Sequence, residues 1–170
     1  MSNTFEEYLN SRQPGPDVLE HAARMLLAEQ TDDLPIAKMR QDVVDATGDP
    51  AAVNEAERLL QEDPSSRELI VRAFLAERWT HPGGEKLVSS AVDDAEGSLP
   101  VVEIAILSVA AMYIAYLHYT GGVESEQERR KINKDGSSEF EKKRKFYPST
   151  SALAAIGRML SGIGKDDLDK

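Results

Sequence analysis

The chain has 170 residues, 41% apolar and 29% charged, with no cysteine. This length suits one globular domain with a substantial core, and the composition excludes disulfides, thiolate metal sites and cysteine nucleophiles. The 30 acidic residues against 20 basic ones leave a formal charge of -10, which argues against a polyanion-binding surface over the whole molecule.

Residues Met1 to Asn10 are acidic and lack a basic region followed by an apolar stretch, so no secretory signal peptide is expected. Together with the absence of cysteine, this points to a reducing cytoplasm of bacterial type. Thr4-Phe5-Glu6-Glu7 has the pattern of a capping box opening a helix to about Arg12, which Pro14-Gly15-Pro16 ends. Asp17-Val18-Leu19-Glu20 repeats the pattern. The apolar positions Val18, Leu19, Ala22, Ala23, Leu26 and Leu27 then keep a helical period to about Gln30, predicting a one-sided amphipathic helix.

Asp33-Leu34-Pro35 opens the next predicted helix, which runs through Val43 and Val44 to a glycine stop at Gly48. Asp49-Pro50 and Asp63-Pro64 each place an oxygen cap before a proline whose missing N–H costs nothing at a helix start. The residues after the two starts differ, so the pair predicts consecutive helices and no repeat. The second, through Leu69, Ile70, Phe74, Leu75 and Trp79, reads as the stronger core helix. Pro82-Gly83-Gly84 reads as a loop, Glu85 to about Asp94 as a weaker helix, and Glu96-Gly97-Ser98 as a turn.

Between Ile104 and Leu117 only Ser108 has neither an apolar nor an aromatic side chain. A helix apolar all round is the centre of a bundle or a membrane span. Fourteen residues reach roughly 21 Å, short of the ~30 Å hydrocarbon core, so the central position is favoured. Ala105, Ser108, Ala111 and Ala115 fall within one arc and form a candidate helix-contact ridge, for an element of the same chain or of another subunit. Tyr113, Tyr116 and Tyr119 suit the packed core or a water-facing rim.

After Thr120-Gly121-Gly122 the charge pattern changes. Residues 1–100 carry 20 acids and 9 bases, whereas residues 124–147 carry 6 acids and 8 bases. Asp135-Gly136 is a two-residue turn signal predicting a β-hairpin over about 126–147. In that register Arg130 opposes Glu141, Glu128 opposes Lys143 and Glu126 opposes Lys145, three opposite-charge pairs on one face. The other face collects Arg129, Lys131, Phe140, Lys142, Arg144 and Phe146 as a candidate interaction surface. Four bases with two aromatics suit a nucleic-acid contact, while rings packed on the body with basic stems lying along apolar surface suit a protein contact. A short C-terminal helix is expected from Ser151 to about Leu160, with Ala152, Leu153, Ile156, Met159 and Leu160 as its buried side.

His21, His81 and His118 lie far apart with no partner at metal-ligand spacing. The acid pairs Glu6-Glu7, Asp32-Asp33 and Asp93-Asp94 are better explained by helix ends than by acid–base chemistry. Neither Gly83-Gly84 nor Gly121-Gly122 has the spacing of a phosphate-cradling loop. No catalytic residue, metal or cofactor is therefore expected.

The predicted fold is mainly α. It is a multi-helix bundle around a central apolar helix at about 99–119, with the hairpin and a short C-terminal helix. An acidic helical region, 1–98, and a second region, 99–170, are expected to form one compact domain. The functional expectation is a non-enzymatic protein-interaction module, a self-assembling subunit or an adaptor. The alternatives are a nucleic-acid-binding protein using the basic face of the hairpin and, third, a membrane-associated protein using the apolar helix.

Overall fold

The computed structural model describes residues 3–98, 102–120 and 155–159, and these are mainly helical. The helices are α1 (Phe5–Arg12), α2 (Pro16–Gln30), α3 (Ile36–Thr47), α4 (Pro50–Glu62), α5 (Pro64–Thr80), α6 (Gly84–Gly97) and α7 (Ile104–Thr120). Residues 155–159 are helical as well. No strand occurs among the described residues, so nothing supports the expected hairpin, whose span at about 126–147 lies outside them.

Local chemistry explains most of the helix boundaries. Thr4 and Glu7 form the expected capping box, with Thr4 Oγ1 accepting from the Glu7 N–H at 3.2 Å and Glu7 Oε2 accepting from the Thr4 N–H at 2.8 Å. Asp49 caps α4 by accepting from the Ala52 N–H at 3.0 Å. Asp63 caps α5 with four donors, the N–H and hydroxyl groups of Ser65 and Ser66. These hydrogen bonds hold its carboxyl below the usual carboxylate range. Gly48 ends α3 in the left-handed conformation, φ 64°, and its N–H donates to the Val44 carbonyl.

Two expected starts are corrected. The cap position of α2 is Gly15, followed by Pro16, and no side chain caps it. Asp17 lies inside the first turn, because Pro16 already holds the first helical position, and Glu20, the acid that would complete its box, is turned inward to a buried arginine. At α3 the cap position is Pro35. Asp32 and Asp33 instead close α2 in left-handed conformations, φ 54° and 58°, with the Asp33 N–H donating back to the Ala28 carbonyl at 2.8 Å. Helix α6 is longer than expected and takes in Glu96 and Gly97.

Residues from all seven helices, together with Ala155, Ile156 and Met159, contribute to one hydrophobic core. Helix α2 runs through its middle, packed by α5, α6 and α7. Every residue from Val18 to Ala23 is consequently buried, against the expectation of a one-sided helix. Helix α7 packs on α2, α3, α4 and α5. It is buried from Ser108 to Ile114, whereas Ile106 and Leu107 before that stretch and residues 115–119 after it are half-buried. The central position expected of α7 therefore belongs to its middle two turns and is shared with α2.

The corner between α5 and α6 depends on glycine. Gly83 adopts φ 77°. A Cβ on Gly84 would lie 1.9 Å from the Arg78 carbonyl oxygen and 2.9 Å from that of Trp79. Both obstacles are backbone, so neither can swing aside. Gly84→Ala is expected to lower stability by about 3 kcal/mol, read as a reduced urea midpoint. An unchanged midpoint would show that the corner opens freely.

Candidate functional site

The small-residue ridge is divided by the fold. Ser108 and Ala111 are buried, Ala115 is half-buried and Ala105 is exposed. Its middle thus serves packing within the chain, where the Ser108 hydroxyl donates to the Ile104 carbonyl at 2.7 Å. Tyr113 is buried and stacks obliquely on half-buried Tyr116, their ring centroids 5.6 Å apart. Burial raises the phenol pKa of Tyr113 and Tyr119. The surface formed by Arg129, Lys131, Phe140, Lys142, Arg144 and Phe146 lies outside the described residues.

At the start of α7 the apolar run meets solvent. Ile104 is 53% exposed, Ala105 is exposed, and Ile106 and Leu107 are half-buried. At the other end His118 Nδ1 lies 2.7 Å from Glu77 Oε2 and ties α7 to α5.

A buried polar cluster escaped the reading of the sequence. Arg67 on α5 donates through Nε to Glu20 Oε1 on α2 at 3.2 Å, with the two side chains 7% and 8% exposed. Its Nη1 also donates to the Leu60 carbonyl at 2.6 Å and the Gln61 carbonyl at 3.3 Å, in the last turn of α4. One guanidinium therefore joins three helices and satisfies carbonyls that the end of α4 leaves free. Burial raises the Glu20 pKa, and the Arg67 charge and hydrogen bond pull it back. Next to it His21 is buried, with no hydrogen-bond partner for Nδ1. Burial, then the nearby Arg24 charge, lower its pKa and so favour the neutral ring. The one signal available was two polar residues, Glu20 and His21, set between the apolar pairs Val18-Leu19 and Ala22-Ala23.

Among the described residues no group of His, Asp and Glu side chains is arranged to hold a metal ion. None of their helices is long and apolar enough to cross a membrane. Of the acid pairs, Glu7 caps α1, Asp93 pairs with Arg12, and Asp32-Asp33 close α2. The chain matches no protein-family model, no curated protein and no solved structure.

Proposed function

We propose that this protein is a non-enzymatic protein-interaction module that assembles with copies of itself or recruits another protein as an adaptor. The observation that supports this is the first turn of α7. It holds four consecutive apolar residues, Ile104 to Leu107, none of them fully buried, on a helix whose next two turns are buried. A continuous apolar run left open at the end of a core helix is the kind of surface that association covers. The module belongs to a reducing cytoplasm, which a cysteine-free sequence suits.

Light scattering on the native protein tests the self-assembling form. The expected result is a mass above that of one chain, which Ile104→Glu lowers while leaving the unfolding free energy from urea titration within about 0.5 kcal/mol. A native protein that stays monomeric across the concentration range would remove this form of the proposal. The alternative rests on the basic balance of residues 124–147, 8 bases against 6 acids. Carried on the expected hairpin, Lys142 and Arg144 would bind phosphates. An affinity for DNA or RNA that falls steeply with salt, and is lost on replacing both by Glu, would favour that reading.

A further inference from the structure

Helix α1 meets the bundle through one face and joins α2 through Gln13, Pro14 and Gly15. Phe5 and Leu9 are buried, and half-buried Tyr8 packs against the same core. The Phe5 and Tyr8 rings lie 5.7 and 4.8 Å from Trp79 of α5, centroid to centroid. The Trp79 indole N–H donates to the Asn3 carbonyl at 2.8 Å. Arg12 pairs with Asp93 and, at 3.0 Å, with Glu96 on α6. An eight-residue helix is too short to be stable alone. Away from this groove α1 would unfold and leave Trp79 open.

The hinge works against the position it holds. Gln13 has φ 50° and ψ 49°, a left-handed conformation that disfavours residues with a Cβ. It also precedes Pro14, and the ring of a following proline drives a residue toward extended conformations. Gly15 is already extended, φ -66° and ψ 158°. Relaxing Gln13 would straighten the link between α1 and α2 and carry α1 off its groove.

We infer that α1 is an exchangeable arm which docks in the Trp79 groove of a second copy of the chain, with Gln13 as the hinge. This rests on the self-associating form of the proposal above, names a second copy as the partner, and adds a contact distinct from the first turn of α7. A mutual exchange restores every α1 contact at each of two symmetric sites and releases the strain at both hinges, so the closed monomer loses no interaction on forming the dimer. A second copy offers the same helix, which fits this groove as the chain's own α1 does.

Two measurements on the full chain test the exchange. Because the native chain has no cysteine, Arg12→Cys in one tagged chain and Asp93→Cys in another introduce the only thiols. After mixing at high concentration, a short bis-maleimide should link residue 12 of one chain to residue 93 of the other. A single chain carrying both substitutions calibrates the reach, and a Glu55→Cys chain on α4 controls for collision. On the otherwise native chain, Gln13→Gly accepts positive φ without strain and should weaken dimerisation roughly tenfold for each of the two hinges. A dimeric mass with no 12–93 link between chains and no effect of Gln13→Gly overturns the exchange and leaves self-association through another surface. A monomer at every concentration overturns both.

Discussion

Replacing Arg67 with methionine should destabilise the protein by about 3–5 kcal/mol at neutral pH, the cost of leaving a buried carboxylate without its partner. The methionine keeps most of the aliphatic stem, so lost packing contributes little. Glu20 then stays buried with no counter-charge, and the Leu60 and Gln61 carbonyls lose the donor they share. The direction of the pH dependence follows. Burial already raises the Glu20 pKa in the folded state, and Arg67 opposes the rise. Without Arg67 the folded-state value climbs further above that of the unfolded chain. A raised carboxyl pKa means that the folded state binds the proton more tightly. Stability is thus greatest below the unfolded value and is lost as pH rises through the folded one. The deficit of Arg67→Met should therefore be smaller near about pH 5 than at neutrality, where Glu20 must ionise or hold a proton at a cost. Urea midpoints of the two chains at both pH values check this. Replacing both residues, Glu20→Leu with Arg67→Met, should recover much of the loss, because the pair's own attraction is offset by its desolvation. An equal deficit at both pH values would show that Glu20 is not the group left exposed to the change.

Ile114→Ala should cost about 2–5 kcal/mol, and Leu107→Ala, on the same helix, about 1 kcal/mol. The two residues are two turns apart, and the sequence predicts both as almost fully buried, which holds for Ile114 and not for Leu107. In the fold Ile114 is buried, 3% exposed. Leu107 lies at the edge where α7 emerges and is half-buried. Truncation at 114 opens a cavity with packed walls, whereas truncation at 107 returns to water a surface that was partly wet already. Comparable losses for both substitutions would mean that the start of α7 is covered in solution, as association through Ile104 requires. The same pair, measured at low and high protein concentration, thus also probes that contact.

The parts of this molecule legible in its sequence are those governed by neighbours a few residues away. The caps at Thr4, Asp49 and Asp63 and the stop at Gly48 needed only a side chain and the backbone beside it, and each is present in the fold. The mainly helical architecture was legible for the same reason, since a 3.6-residue period is a local property, and the apolar core of α7 was legible from an unbroken apolar run. Where two local rules competed, the contact that settled the matter came from far along the chain. Glu20 has the spacing of a capping-box acid to Asp17, but Arg67, 47 residues away, draws it into the core. Helix α2 itself starts one residue before Asp17, at Pro16, with Gly15 as its uncapped cap position. Residues Glu20 and His21 lie on the side of α2 that periodicity assigns to solvent, yet α5, α6 and α7 enclose it, so both are buried. An all-apolar helix likewise says that burial is available on every side without saying which turns lie deepest. Residues 108–114 do, while Ile104 stays in water, because α2, α3, α4 and α5 converge on the middle of α7 and leave its first turn uncovered. Burial depth and ion pairing across the core depend on which helices meet, and helix meetings are set by the summed fit of many side chains distant in sequence.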